Sequence, residues 1–135
     1  MVRGYEFWVA KEARSRRGGI RLYALPWEWP AWVGQGTGDP FHNVSKPVRY
    51  VMEWIQGAKR VHGLTTDFIG IWNENAYSVE YILALRGALD QAGLERTRIV
   101  APDGNRTARA FFQEATRNAT LAAAIHAVGF SLPES

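Results

Sequence analysis

The sequence contains no cysteine, and this absence removes two classes of small protein from consideration. A scaffold stapled by disulfides and a zinc site built from thiolates both need cysteine. Long apolar runs are also missing, since no stretch approaches the length that spans a bilayer. Residues Met1 to Phe7 lack the apolar centre of a secretory signal. We therefore expect no transmembrane segment and no targeting signal in the chain as given.

A strong excess of one charge is absent as well. The 16 Lys and Arg residues oppose 13 Asp and Glu, a net charge of +3, and the cations are dispersed except between Arg14 and Arg17. That short run is typical of a solvated helix end, and no basic stripe alternates with aromatics, so we expect no nucleic-acid binding. The three histidines His42, His62 and His126 do not have metal-ligand spacing, so neither a metal nor another cofactor is expected.

What the chain does have is a hydrophobic fraction of 47% over 135 residues, enough for one compact domain and too little for two. A first helix is predicted from Tyr5 to Arg16, ended by Gly18 and Gly19. Four apolar strands are predicted at 20–25, 68–72, 98–101 and 127–130, with helical segments between them. Strands joined by such crossovers run parallel, so the predicted fold class is α/β.

Residues with capping ability mark the ends of the later helices. Ser45 is expected to accept hydrogen bonds at the start of the second helix, which Gly63 ends. Ser78 is expected to open the third helix and Gly93 to close it, and Thr107 is expected to cap the fourth. The strand 68–72 is apolar throughout, a pattern that predicts cover on both of its faces.

Four strands cannot close an eight-stranded barrel, which usually needs about 250 residues. The alternatives are a small open sheet and a part of a barrel. Chemically useful residues follow each predicted strand: Trp27, Asn73 with Glu74, Asp103, and Ser131. Because the carboxyl ends of parallel strands share one edge, we expect these residues at a common rim.

Glu74 is the sharpest of these features, because an apolar strand ends in a carboxylate beside an amide. Retaining glycosidases need one protonated carboxyl group and one ionised carboxylate, and an apolar, aromatic surrounding raises the pKa of the first. A tryptophan ring in a nearby loop can pack against the face of a sugar. The competing interpretation is a carboxylate stabilised by the dipole of the following helix. The residue types alone leave both interpretations open.

The flanking motifs favour the glycosidase. The sequence contains Leu25-Pro26-Trp27-Glu28-Trp29-Pro30-Ala31-Trp32, Gly57-Ala58-Lys59-Arg60 and Ile69-Gly70-Ile71-Trp72-Asn73-Glu74. Together they resemble glycoside hydrolase family 59, the galactocerebrosidase family, from about Gly4 to Asp103. The resemblance implies a (β/α)8 TIM barrel whose third to sixth strands are the four found here. Residues 1–135 would then be a fragment of one catalytic domain that lacks the first two and the last two strands.

The same resemblance implies roles for individual residues. Glu74 matches the proton-donating acid/base, Asn73 the neighbouring amide that binds the sugar, and Trp27 an aromatic contact to galactose. Trp29 and Trp32 are expected to be packing residues. The nucleophilic Glu of the family would lie beyond this chain, so the chain alone is expected to be inactive.

Three further expectations follow at the rim. Asp103 is expected to hold a loop by a hydrogen bond, and Glu28 to be exposed. Ser131 and Leu132 stand before Pro133 where the family pattern has His and Tyr, so the resemblance does not support the family's sugar contacts at this part of the rim.

For the parent protein the resemblance implies hydrolysis of a galactosylceramide-type galactolipid with retention of configuration. It also implies a lysosomal or secreted location and, in animal members, a lipid-presenting activator protein as partner. Two alternatives remain open: a related clan member that acts on β-glucosides, and a truncated sugar-binding remnant without catalysis.

Overall fold

A computed structural model describes residues 4–130 of the chain, apart from the side chain of Asn105. The elements in chain order are α1 Tyr5–Arg16, β1 Tyr23–Ala24, α2 Ser45–His62, β2 Phe68–Gly70, α3 Val79–Gln91, β3 Arg98–Asp103, α4 Asn105–Arg117, α5 Ala119–Ala124 and β4 Ala127–Gly129. The four strands form one parallel sheet in the order β1-β2-β3-β4. This arrangement confirms the α/β class.

One face of the sheet is packed against helices. Ile69 of β2 and Ile99 of β3 are buried on this face, together with side chains from four helices. The helical members of this core are Val51, Ile55, Tyr81, Ile82, Leu85, Leu89, Phe111, Ala115, Leu121 and Ala124. Residues that alternate with the buried ones, including Phe68 and Val100, are only half-buried, and Arg98 is exposed. The sheet therefore has a packed face and an open face.

The strand order and the one-sided cover distinguish between the two predicted architectures. A doubly wound open sheet reverses its strand order and carries helices on both faces. Here the order is sequential, and the buried core of the described residues lies on one face only. Successive right-handed crossovers on one face are the construction of an α/β barrel, so the chain has the fold of part of such a barrel.

Of the two faces of the second strand that were predicted to be covered, helices cover one. Gly70 is buried on the open face by side chains of the neighbouring strand rather than by a helix. A Cβ at Gly70 would lie 3.1 Å from Cζ of Tyr23 and closer still to its hydroxyl and to Leu25. A larger residue at this position would displace the Tyr23 ring and the Leu25 side chain.

Two of the predicted helix ends are confirmed. The Ser78 hydroxyl accepts a hydrogen bond from the amide of Tyr81 at 3.2 Å, as an N-cap does. Gly63 ends α2 in the left-handed conformation, with φ of 67°. The bounds of α1 also agree with the prediction.

Two predicted caps are wrong. The Ser45 hydroxyl donates to Asn43 Oδ1 at 2.7 Å, and this amide oxygen also accepts from the Ser45 backbone. The Thr107 hydroxyl likewise donates, to the carbonyl of Gly104 at 3.4 Å. Both side chains lie inside the first turn of their helix rather than before it, so Ser45 and Thr107 do not cap its amides.

The strands also differ in length from the prediction. β1 is limited to Tyr23–Ala24, whereas β3 continues to Asp103. The short helix α5 was not predicted, and it begins where Asn118 Oδ1 accepts from the amide of Leu121 at 3.0 Å.

Candidate active site

The carboxyl ends of β1, β2 and β3 are joined by two hydrogen bonds between their loops. The amide of Asn73 donates to the carbonyl of Pro26 at 2.9 Å, which ties the β2 loop to the β1 loop. The amide of Glu74 donates to Oδ2 of Asp103 at 3.3 Å, which ties the same turn to the end of β3. Three of the rim positions predicted from the sequence are thus brought together at one edge.

The backbone of Glu74 is strained. Its φ is 51°, a left-handed conformation that costs a residue with a side chain about 1–3 kcal/mol and persists only where the surroundings impose it. One such constraint is the close approach of Gly104, where a Cβ would lie 3.2 Å from Cα of Glu74. The turn that carries the carboxylate is therefore fixed by contacts on both sides.

The three predicted site residues differ in exposure. The Glu74 side chain is exposed, Asn73 is half-buried, and Trp27 is 69% exposed. The described residues do not supply the apolar surrounding that was expected for the carboxyl group of Glu74. The adjacent indole of Trp72 packs edge-on against Phe41, at 5.8 Å between ring centroids, and belongs to the loop core.

The competing interpretation of Glu74 as a helix N-terminal carboxylate is wrong. Helix α3 begins at Val79, after its cap Ser78, and the acidic residue of its first turn is Glu80. The dipole effect falls off within the first turn of a helix. Glu74 lies outside that range, so its position at the rim is not explained by helix stabilisation.

The other loop tryptophans behave as packing residues, as predicted. Trp29 lies edge-on to Tyr50 at 5.8 Å and to Tyr81 at 6.1 Å between ring centroids. Trp32 is edge-on to Tyr50 at 6.0 Å, although it is 48% exposed. Glu28 is exposed, also as predicted.

Asp103 holds a loop by a hydrogen bond, as expected, and Tyr23 is a neighbour that the sequence analysis missed. Partial burial and, second, the negative charge of Asp103 raise the pKa of Tyr23 to about 12. The phenol is therefore neutral at physiological pH. Alternation along the strand predicts only that Tyr23 lies on the face opposite Ala24, whereas its approach to Gly70 and Asp103 depends on the register of the strands.

One cavity of the described residues lies to the side of these hydrogen bonds. It has a volume of about 670 Å³ and is open to solvent, and residues of α1, β1 and α2 form its mostly apolar walls. Trp27 and Glu28 line its end, but Asn73, Glu74 and Asp103 do not. The candidate active site is therefore defined by the hydrogen bonds at the rim and not by this cavity.

One predicted feature, the segment Ser131, Leu132 and Pro133, lies outside the described residues. Between residues 4 and 130 no three His, Asp or Glu side chains are grouped closely enough to hold a metal ion. None of the helices in the same range has the length and apolar character needed to cross a membrane.

The fold resembles two solved structures. SrfJ from Salmonella typhimurium superposes with a TM-score of 0.78 at 18% identity, covering 93% of this chain and 33% of that one. The glycoside hydrolase family 30 subfamily 8 xylanase Xyn30A from Clostridium acetobutylicum gives 0.70 at 19% identity, covering 96% and 37%. At these identities the likeness shows the fold alone.

Sequence relatives carry more information. The galactocerebrosidases of Danio rerio and Homo sapiens are each 48% identical, over 103 and 101 residues, and a putative galactocerebrosidase of Caenorhabditis elegans is 34% identical over 102. The matches cover 75–76% of this chain but 15–16% of the relatives, so the chain spans a small part of their length. The model of glycosyl hydrolase family 59 matches residues 1–135. With a barrel-type sheet and an Asn-Glu turn at its rim, the chain belongs to glycosyl hydrolase family 59.

Proposed function

We propose that this chain is part of the catalytic domain of a retaining β-galactosidase, a galactosylceramidase that hydrolyses galactosylceramide-type galactolipids. The family and the galactocerebrosidase relatives support the substrate class. The observation that carries the proposal is the Asn73-Glu74 turn, which is tied at the rim to Pro26 on one side and to Asp103 on the other. Residues 1–135 are a fragment of that domain without its first two and last two strands, and the fragment alone is inactive.

In this mechanism Glu74 is the acid/base. Its carboxylic acid donates a proton to the glycosidic oxygen, while a carboxylate from outside the chain attacks the anomeric carbon and forms a glycosyl-enzyme bond. The Glu74 carboxylate then takes a proton from water, which attacks the same carbon and releases galactose with retained configuration. Exposure at the rim leaves this carboxyl group accessible to a substrate.

Asn73 and Trp27 bind the sugar in the proposed site. The Asn73 amide hydrogen-bonds a galactose hydroxyl, and the exposed Trp27 ring packs against the C–H face of the pyranose. The proposal places the parent protein in galactosphingolipid degradation, in the lysosome or outside the cell. In animal members a lipid-presenting activator protein delivers the substrate.

The test is Glu74→Gln in the full-length protein that carries this sequence, assayed on two substrates. Loss of a general acid lowers turnover of galactosylceramide by about 10²- to 10⁴-fold, because its alkoxide leaving group needs a proton. Dinitrophenolate leaves a dinitrophenyl β-galactoside without being protonated. Formation of the glycosyl-enzyme from this substrate is therefore much less affected. The rate of dinitrophenolate release in the first turnover measures that step directly.

Glu28→Gln is the matched control, because Glu28 is an exposed carboxylate in the neighbouring rim loop. It should leave both rates near the wild-type values. Equal losses on both substrates in Glu74→Gln would remove Glu74 from the donor role. Galactoside binding by the full-length protein without hydrolysis, measured by calorimetry, would favour a sugar-binding remnant, and faster turnover of β-glucosides would favour the related clan member.

A further inference from the structure

The left-handed backbone of Glu74 requires a constraint, and Asp103 supplies the most direct one. The Asp103 carboxylate accepts the Glu74 amide at 3.3 Å, from a residue 29 positions further along the chain. This contact acts on the peptide unit from which the Glu74 side chain projects, so it influences where that carboxyl group lies.

Asp103 is itself seated between two glycines that permit its close approach. A Cβ at Gly129, on β4, would lie 3.2 Å from Oδ1 of Asp103 and 2.7 Å from the carbonyl oxygen of Pro102. On the other side Gly104 brings the β3 loop against Cα of Glu74. Larger side chains at Gly104 or Gly129 would push Asp103 away from the turn. The Asp103 carboxylate is therefore flanked by Gly129 on one side, and the next residue along the chain, Gly104, contacts the Glu74 backbone.

Tyr23 indicates that the charge of Asp103 also acts across the open face of the sheet. Its phenol belongs to β1, two strands away from β3, yet the Asp103 charge contributes to its raised pKa after burial. A neutral phenol beside an aspartate avoids a second negative charge beneath the rim.

From these contacts we propose that Asp103 is a positioning residue for Glu74: through the amide hydrogen bond it fixes the orientation in which Glu74 protonates the leaving group. Asp103 does not touch the substrate in this role. The inference rests on the proposed function, because it assigns a purpose to a hydrogen bond made by the proposed acid/base.

The experiment compares Asp103→Ala with Asp103→Asn in the full-length protein. Alanine removes the acceptor and lets the turn relax, and a displacement of about 1 Å at a reacting group lowers the rate by about 10²-fold. We expect this loss on galactosylceramide and a much smaller one on the dinitrophenyl β-galactoside, as for Glu74→Gln. Asparagine keeps an acceptor oxygen for the Glu74 amide, so it should restore most of the activity.

Asp39→Ala is the control, because Asp39 Oδ1 accepts the amide of Phe41 at 2.9 Å within the aromatic loop and makes no hydrogen bond to Glu74 in the described residues. Asp39→Ala should change the rates on the two substrates by the same factor. Equal losses on both substrates in Asp103→Ala, or no rescue by asparagine, would reduce Asp103 to a structural role and overturn the inference. If Glu74→Gln depends on the leaving group and Asp103→Ala does not, the proposed function stands and this inference fails. If Glu74→Gln shows no such dependence, both fail.

Discussion

The two ends of the parallel sheet use polar residues in opposite ways. At the carboxyl ends of the strands, Glu74 and Trp27 are exposed, and the backbone of Glu74 is strained. At the amino ends two polar residues are buried and hydrogen-bonded, Thr66 and Thr97, which are 4% and 2% exposed. One end keeps reactive groups accessible, and the other contributes to folding stability.

The amino-terminal end is fastened by a continuous network. Asp67 Oδ2 accepts from the Arg14 guanidinium and from the Leu22 amide, both at 2.8 Å, and thereby joins α1 to the sheet. The Thr97 hydroxyl donates to the Thr66 carbonyl at 2.9 Å, and Arg86 on α3 donates to the Thr97 carbonyl at 2.9 Å. Residues at this end are thus expected to affect stability with little effect on catalysis, and rim residues the reverse.

The largest effect on folding stability is expected from Asp67→Ala. It breaks the ion pair with Arg14 and removes the acceptor of the Leu22 amide, so the free energy of unfolding of the chain should fall by about 2 kcal/mol. Urea denaturation measures this loss. Asp67→Asn keeps an acceptor for Leu22 and should lose less. A change below about 0.5 kcal/mol, the usual range of surface substitutions, would show that this end is not fastened as described.

A smaller effect, on substrate binding rather than on stability, is expected from Trp27→Ala. Because Trp27 is 69% exposed, its removal should change the free energy of unfolding by less than about 0.5 kcal/mol. The loss of its ring should raise the KM for galactosides about tenfold in the full-length protein, which corresponds to about 1.4 kcal/mol. Trp8→Ala, at an exposed tryptophan of α1, is the control and should leave KM unchanged. An unchanged KM in Trp27→Ala would remove Trp27 from the sugar site.

The smallest effect concerns the link between Tyr23 and Asp103. Burial is the larger cause of the raised pKa of Tyr23 and the Asp103 charge the smaller, so Asp103→Asn should lower this pKa from about 12 while leaving it above 10. The titration is followed by the absorbance of ionised tyrosine at alkaline pH. Subtracting the curve of the corresponding Tyr23→Phe variant from that of each protein isolates Tyr23 among the five tyrosines. An unchanged titration would mean that Asp103 does not act on Tyr23.

The sequence predicted the elements that depend on local patterns. Apolar periodicity identified α2 and α3, and Ser78 and Gly63 marked ends that the structure confirms. The start of α5 was missed because neither Gly nor Pro separates it from α4, and only the Asn118 side chain marks the break. Ser45 was misjudged because Asn43, two residues earlier, competes for the same role.

At the site, the order of residues along the chain predicted which ones share the rim but not how they are joined. The position of Glu74 after a buried strand was sufficient to place it there. Its hydrogen bond to Asp103 could not be predicted, because it depends on the curvature and register of two parallel strands and on the small size of Gly104. Tyr23 was missed for a similar reason, since its partner across the sheet face is set by register rather than by sequence proximity.

The sequential strand order has a consequence for how the chain acquires its structure during synthesis. Each strand pairs with the one that precedes it along the chain, so no strand must wait for a partner made much later. A ribosome that releases the amino terminus first would deliver β1, then β2 beside it, then β3 beside that. Growth by addition at one edge favours folding that keeps pace with translation, because each new strand finds its partner already in place.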